Sequence, residues 1–194
     1  MPRIAIVSEY FYPLLGGITE NVYNTALRLA ARGWQVKIIT SNVKAQKIAI
    51  PPKPWLAVSP NLELLRLGYS LPVYANGSWG HFTLGLKLRA QLKELLTPEK
   101  FDLVHIHSPL VPTLPYLALS LTEIPAVGTF HTYFDSNIFH NLIYGLLNSR
   151  LQKDADKLSR QIFVSQSCIT PLARYLRLNP LIIPNGVDIN EFSP

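Results

Sequence analysis

The sequence has only one cysteine, Cys168, and no apolar run long enough to cross a membrane. A single cysteine excludes a disulfide within the chain and is typical of a reducing compartment, so we expect Cys168 to be an ordinary helix residue. The apolar runs are strand-sized, whereas a membrane-spanning helix needs about 20 apolar residues. The first run, Ile4–Val7, has no cleavage site of a secretory signal after it. These absences favour a cytoplasmic protein.

Basic residues form no long run and seldom alternate with aromatic residues, which argues against nucleic acid as a partner. The chain nevertheless has 18 Lys and Arg against 12 Asp and Glu, a net charge of +6. This excess favours phosphate groups or anionic membrane surfaces as partners. The sequence has no repeats, and its 194 residues, 48% of them hydrophobic, suffice for one α/β domain with a full core.

Short apolar runs recur at wide intervals, with helix-length segments between most of them. Seven runs fit buried strands of a parallel sheet: Ile4–Val7, Val36–Thr40, Leu62–Leu67, Leu103–Ile106, Ala126–Phe130, Ile162–Val164 and Leu181–Ile183. Five segments are predicted helices: Thr19–Arg32, Thr83–Leu96, Pro109–Leu121, Asn137–Lys157 and Gln166–Leu176. This alternation predicts an α/β fold, a Rossmann-like doubly wound, mostly parallel sheet of about seven strands with helices on both faces. Residues 43–60 break the pattern and are predicted to form a loop.

Two adjacent glycines, Gly16 and Gly17, stand between the first predicted strand and the first predicted helix. A helix N-terminus presents free N–H groups, and glycine lets an anion approach the backbone, so a phosphate is the expected ligand. A turn that requires glycine for steric reasons is the alternative. A dinucleotide site needs three spaced glycines and an acidic residue after the second strand, but the second strand here ends in Thr40-Ser41-Asn42.

Three histidines stand in or after predicted strands. His105 and His107 of "FDLVHIHSP" alternate with apolar residues and therefore share one strand face. His105 is predicted to be a core histidine, whereas for His107, at the strand end, a ligand contact and a core position are equally open. His131 has polar neighbours, and its imidazole could serve a sugar hydroxyl or a developing charge. Because no carboxylate or cysteine stands at zinc-ligand spacing from them, no metal is predicted.

Two further motifs have ordinary explanations. Asp154 and Asp156 form a "DAD" near the end of a predicted helix, where residues two apart do not face each other, so a solvated helix end is favoured over a metal site. The "NGS" at residues 76–78 matches a glycosylation acceptor. Without a secretory context, a turn or a polar binding loop fits it better.

Three cations, Lys87, Arg89 and Lys93, share a predicted helix with a stripe of leucines: Leu84, Leu88, Leu92 and Leu95. Such a helix packs its apolar stripe on a sheet and leaves its charges in water. The alternative is a face that binds an anionic membrane surface, which would make the protein peripheral at the cytoplasmic face of the membrane.

Five stretches, "EYFYPLLGGITENV", "FDLVHIHSP", "GTFHTYF", "IFVSQS" and "IPNGVDINEFSP", follow one another along essentially the whole chain. In them the sequence resembles the N-terminal half of the retaining glycosyltransferases of family 4, which have the GT-B fold of two facing Rossmann-like domains. Within that family it is most similar to phosphatidylinositol mannosyltransferase and related glycolipid enzymes. The last stretch is quite specific, whereas the glycine pair alone is not.

The resemblance implies that Gly16 and Gly17 face the diphosphate of a nucleotide sugar. It also implies that His131 lies beside the donor sugar as the catalytic residue, where it stabilises the charge that develops as the sugar leaves. The donor would be a UDP- or GDP-sugar, which is a substrate, and neither a metal nor another cofactor is implied.

The acceptor side follows from the same resemblance. Tyr10 and the loop of Asn76, Gly77 and Ser78 match positions near the acceptor. His107 and Thr132 are placed with them as predicted acceptor-binding residues. In the inositol-lipid enzymes an arginine follows "NGS" by two or three residues, but here Trp79, Gly80 and His81 follow, which puts an inositol phosphate acceptor in doubt.

The domain division also follows from the resemblance. Residues 1–183 would form the acceptor-side domain and residues 184–194 the start of the hinge. The second domain of the family, which holds the nucleotide base, has no counterpart within these 194 residues.

The predicted function is the acceptor-side domain of a retaining glycosyltransferase that moves a hexose to a lipid or saccharide hydroxyl and is inactive alone. Its own C-terminal domain, the donor and the acceptor would be its partners. A nicotinamide dinucleotide-binding domain and a non-catalytic sugar- or lipid-binding module remain the alternatives.

Overall fold

The structure, a computed structural model, describes residues 1–43, 59–75, 78–133, 138–187 and 189. The strands are β1 (Arg3–Val7), β2 (Gln35–Ser41), β3 (Leu62–Leu67), β4 (Tyr69–Ala75), β5 (Ser78–Leu84), β6 (Leu103–His107), β7 (Ala126–Phe130), β8 (Leu158–Phe163) and β9 (Pro180–Ile182). The helices are α1 (Gly17–Ala31), α2 (Leu88–Leu95), α3 (Leu114–Leu121), α4 (Ile138–Ala155) and α5 (Gln166–Ala173).

Seven of these strands form one parallel sheet in the order β3-β2-β1-β6-β7-β8-β9. All seven predicted strands are present, and the predicted α/β class is confirmed. The chain winds outward from β1 in one direction and from β6 in the other. A ligand crevice is expected where the winding direction changes, beyond the carboxyl ends of β1 and β6.

Helices cover both faces of the sheet, as predicted. On one face, Val22 and Ala26 of α1 pack against Ile4 and Ile6 of β1. On the other face, α2, α3, α4 and α5 share a larger core that includes Val104 of β6. Because side chains alternate along a strand, His105 and His107 lie on the α1 face of β6.

The sequence did not predict the two strands between residues 69 and 84, and the predicted helix was wrong at residues 83–87. Strands β4 and β5 form an antiparallel hairpin, so the predicted helix from Thr83 begins only at Leu88. Leu84 belongs to the hairpin, is 57% exposed and is no part of the helix stripe. The physical reason is a turn at Gly85 together with a buried polar contact of Thr83, described below, both of which favour an extended chain. The segment 44–58 of the predicted loop lies outside the described residues.

Candidate functional site

The segments that follow β1, β6 and β7 meet at one edge of the sheet. β6 lies between the other two strands, with His107 paired to Thr129 of β7 and Val7 paired to Ile106. Neighbouring strands are about 4.8 Å apart, so the chain leaves β1 and β7 at points separated by about 10 Å. The glycine loop and His131 therefore lie on the same side of the molecule.

The glycine loop ends at an uncapped helix. Gly16 is the N-cap of α1, and no side chain caps the first turn. Both Gly16 and Gly17 are exposed. The free N–H groups and the positive end of the helix dipole therefore point into solvent, as an anion-binding site requires.

The fold itself does not require glycine in this loop. A Cβ atom added at Gly16 or Gly17 would meet no atom within 4 Å. The backbone of Gly16 is extended, with φ at 160°, whereas Gly33 and Gly68 have φ values of 84° and 59°, in the left-handed region that favours glycine. The alternative of a sterically demanded turn thus finds no support. That a ligand approaches the backbone closely at these two glycines stays a prediction.

The three histidines form one connected cluster. Nδ1 of His107 lies 2.8 Å from Nε2 of His131, with the two rings inclined by only 15°. The ring of His105 packs on that of His107 at 4.4 Å between centroids, and its Nε2 lies 2.7 Å from Oγ1 of Thr129. His107 is buried, and its Nε2 has no hydrogen-bond partner. The cluster fixes the imidazole of His131 at the sheet edge.

The environment of the cluster keeps all three imidazoles neutral at pH 7. Burial lowers the pKa of His131 to about 4. Burial, with a smaller repulsion from His131, lowers the pKa of His105 to about 4. Burial and the two neighbouring histidines hold the pKa of His107 well below its ordinary value. Each ring therefore has one N–H group and one lone pair, and none contributes a positive charge.

Glu9 is a buried carboxyl group that the sequence reasoning did not single out. It follows β1 directly and is 2% exposed. Its Oε1 accepts a hydrogen bond of 2.7 Å from the hydroxyl of Thr83, while Oε2 has no partner of hydrogen-bond geometry. Burial raises the pKa of Glu9, an effect that Thr83, Thr113 and the start of α3 oppose. A glutamate directly after a buried apolar strand is the signal that could have revealed it.

Tyr10 and the hairpin, both predicted on the acceptor side, lie together. The phenol oxygen of Tyr10 accepts a hydrogen bond of 3.3 Å from the backbone N–H of His81, and the two rings meet edge to face. Nδ1 of His81 is in turn 2.9 Å from the Ser70 hydroxyl. Of the predicted loop, Asn76 and Gly77 lie outside the described residues, and Ser78 opens β5. Their roles stay predictions.

The remaining predicted acceptor residues differ in exposure. Thr132 is exposed directly after His131, whereas His107 is buried beneath it. Thr132 is thus open to a ligand. The buried ring of His107 is separated from the sheet edge by His131, to which it is hydrogen-bonded. Asn185 of the predicted hinge lies 2.9 Å from the amide nitrogen of Asn21 on α1, so the hinge starts beside the glycine-loop helix.

The prediction of a solvated helix end at Asp154 was wrong. Asp154 is 4% exposed, accepts a hydrogen bond of 2.8 Å from the hydroxyl of Tyr116 and pairs with Lys157 at 3.1 Å. Asp156 points elsewhere and accepts a hydrogen bond from Gln152. The reason is the fold, since α3 packs close enough to cover this turn of α4. Among the residues that the structure describes, no group of His, Cys, Asp or Glu side chains could hold a metal ion.

An apolar surface stands beside the three cations of α2. The outer face of the hairpin presents exposed Tyr69, Leu71, Val73 and Leu84, and Leu86 follows fully exposed. Lys87, Arg89 and Lys93 are exposed, while Leu88 and Leu92 pack inward. We call these apolar side chains together with the three cations the hairpin surface.

Comparison with known proteins decides the family. The model of Glycosyltransferase Family 4 matches residues 15–191. The chain belongs to glycosyltransferase family 4. The resemblance seen in the sequence is thereby confirmed, and the hypothesis of a nicotinamide dinucleotide domain is abandoned.

Several curated relatives of this family 4 chain are glycosyltransferases whose names include inositol. It is 27% identical to "Phosphatidyl-myo-inositol mannosyltransferase" of Propionibacterium freudenreichii subsp. shermanii over 98% of this chain and 48% of the relative. The protein of the same name from Mycobacterium tuberculosis is also 27% identical, over 98% and 46%. "D-inositol 3-phosphate glycosyltransferase" of Actinosynnema mirum is 28% identical over 100% and 49%. This family 4 chain thus spans about half the length of the curated relatives it matches.

A solved structure described as the glycotransferase of kitacinnamycin matches 97% of this chain and 53% of its own, with a TM-score of 0.47 and 14% identity.

In the described part of the family 4 chain, no helix is both long and apolar enough to cross a membrane.

Proposed function

We propose that this chain is the acceptor-side half of a retaining glycosyltransferase. The complete enzyme transfers a hexose from a UDP- or GDP-sugar to a hydroxyl group of a lipid or saccharide. One observation supports the proposal beyond family membership: an uncapped, glycine-lined helix N-terminus follows β1 and a neutral histidine follows β7, both at the same edge of the sheet.

The chemistry assigned to this half is electrostatic. The free N–H groups at the start of α1 stabilise negative charge on the departing diphosphate, and Gly16 and Gly17 allow its oxygens to reach the backbone. His131 lies beside the donor sugar as a neutral hydrogen-bonding group. A second domain supplies the nucleotide-base contacts and closes over the cleft, which excludes water and protects the donor from hydrolysis. The isolated half is therefore inactive.

The acceptor approaches from the side of Tyr10 and the hairpin. The hairpin surface combines fully exposed Leu86 with the cation Lys87 beside it, and Arg89 and Lys93 follow on α2. Exposed apolar side chains next to cations favour contact with anionic lipid. We therefore assign the protein to the cytoplasmic face of a membrane, as a peripheral enzyme on a lipid acceptor.

The function is tested by a transfer assay with UDP- and GDP-hexoses and a panel of lipid and saccharide acceptors. The full-length protein is expected to transfer and to retain the anomeric configuration, while residues 1–194 alone transfer nothing. His131→Ala in the full-length protein should lower the transfer rate by at least about tenfold. An unchanged rate in that variant would favour the non-catalytic binding module. Transfer by residues 1–194 alone would refute the need for a second domain.

The membrane assignment is tested by co-sedimentation with vesicles of anionic or zwitterionic phospholipid. Reversing Lys87, Arg89 and Lys93 to Glu should weaken binding to anionic vesicles at least about hundredfold at low salt, because three cations that each contribute about 1 kcal/mol near such a surface are lost. A control reverses three cations on α4 and beyond α5, namely Lys153, Arg174 and Arg177, and should bind as the parent does. Equal loss in both variants would show only a response to net charge.

A further inference from the structure

The hydrogen bond between His107 and His131 contains one proton, and its position decides what His131 can do. All three imidazoles of the cluster are neutral, so only one of the two facing nitrogens, Nδ1 of His107 or Nε2 of His131, is protonated. If His107 donates, the proton of His131 is on its Nδ1. If His131 donates, its proton is on Nε2, within the hydrogen bond. In one arrangement His131 offers a donor to a ligand, and in the other it offers a lone pair.

The buried end of His107 distinguishes the two arrangements. Nε2 of His107 is buried and has no hydrogen-bond partner. If His131 donated to His107, the proton of His107 would be on this nitrogen, as a buried N–H group without an acceptor. If His107 donates from Nδ1, only a lone pair is left unpaired there. Buried N–H groups without a partner are rarer in proteins than buried acceptors with an unused lone pair, so the second arrangement is favoured.

We propose that His107 is a positioning residue: it donates from Nδ1 to Nε2 of His131 and so fixes His131 as the tautomer with its proton on Nδ1. The ring of His105, packed on that of His107 and held by Thr129, keeps the donating nitrogen turned toward His131. His131 then presents an N–H donor at the sheet edge and no lone pair. This donor suits an oxygen that becomes negative, whereas it excludes His131 as a general base.

The assignment also accounts for a buried histidine at a strand end. His107 is 1% exposed, so its ring meets a ligand only through His131. The catalytic consequence rests on the proposed transferase function, whereas the tautomer itself does not. In the described residues no hydrogen bond to Nδ1 of His131 is formed, which leaves that nitrogen for a ligand.

The tautomer is tested by NMR of the full-length protein with ¹⁵N-labelled histidine, since protonated and bare ring nitrogens differ widely in chemical shift. His131 is expected to be protonated on Nδ1 and bare on Nε2 across neutral pH. A spectrum in which His131 is protonated on Nε2 would overturn the proposal. This measurement needs no transfer activity. A protein that transfers no sugar would refute the proposed function, and the spectrum would still decide the tautomer of His131.

Two substitutions test the positioning role. His107→Asn keeps an amide donor near the place of Nδ1, whereas His107→Leu fills the space without a donor. The leucine variant should show both tautomers of His131 and a kcat lower by about tenfold, with the KM for the donor sugar within about twofold. The asparagine variant should recover most of the kcat and the single tautomer. Equal impairment in both variants, or an unchanged tautomer in the leucine variant, would contradict the role.

Discussion

Oε1 of Glu9 accepts a hydrogen bond of 2.7 Å from the hydroxyl of Thr83, which joins the loop after β1 to the hairpin 74 residues later. Both residues are buried, and the backbone carbonyl of Glu9 also accepts a hydrogen bond from Ser41 at the end of β2. Glu9 therefore connects three segments: the loop after β1, the end of β2 and the end of β5. The position of the predicted acceptor side depends on this buried carboxyl group.

Replacement of Glu9 by glutamine should stabilise the protein increasingly as pH rises. Burial raises the pKa of Glu9 in the folded state, so its contribution to stability is present below the unfolded pKa and is lost as pH rises through the folded one. Glutamine can accept the same bond from Thr83 and does not titrate. We expect the melting temperature of Glu9→Gln, relative to the parent, to increase between pH 4 and pH 8. Glu123→Gln on the exposed surface is the control, and a pH-independent difference at Glu9 would contradict its burial.

The histidine cluster should make stability fall in acid. Each folded pKa lies below the ordinary value, at about 4 for His105 and His131, and burial holds that of His107 well below its ordinary value, so the unfolded chain binds the protons first. Stability is therefore complete above about pH 6.5 and declines toward pH 4, by about 1.4 kcal/mol per pH unit for each histidine. The slope of stability against pH is measured by urea unfolding between about pH 4.5 and about pH 7.5. His107→Asn should lower this slope by the contribution of one bound proton. An identical slope would mean that His107 is not buried.

Replacement of Gly17 by alanine should leave folding intact but weaken binding of the sugar-nucleotide donor. Gly17 has open space around a Cβ atom and begins α1, where alanine is the better helix former by about 1 kcal/mol. We expect Gly17→Ala in the full-length enzyme to melt at or above the temperature of the parent and to raise the KM for the sugar nucleotide at least about tenfold.

A matched control for the glycine loop is Gly145→Ala on α4, which also has open space for a Cβ atom. It makes the same chemical change away from the sheet edge and should leave the donor KM unchanged. If Gly17→Ala also left the KM unchanged, no ligand would approach this backbone closely.

The two aspartates of the "DAD" motif should differ strongly in their effect on stability. Asp154→Ala removes the partner of Tyr116 and Lys157 from a site that is 4% exposed, and we expect a loss of about 2 kcal/mol or more. Asp156→Ala, at an exposed position, should change stability by less than about 0.5 kcal/mol. Chemical denaturation of the two variants compares them directly, and similar losses would refute the burial of Asp154.

The sequence predicted the sheet better than it predicted the site. Its apolar runs marked all seven strands of the sheet, and the clearest were those of the central strands, because strands buried on both faces have few polar positions. It missed the hairpin because the leucines of residues 84–95 match a helix period, although Thr83 is held in a strand by Glu9. A contact between residues 74 positions apart cannot be predicted from the sequence of either segment alone.

By itself the sequence determined the α/β class, a helix start at the glycine pair Gly16 and Gly17, and the family, because these depend on patterns within short stretches of chain. Only the tertiary structure decided that His107 bonds to His131 and that Asp154 is buried. The pairing of β6 with β7 sets His107 opposite Thr129, and this register brings the His131 ring, two residues further on, within 2.8 Å of His107. Contacts of this kind arise from strand register and helix packing, which no single segment encodes.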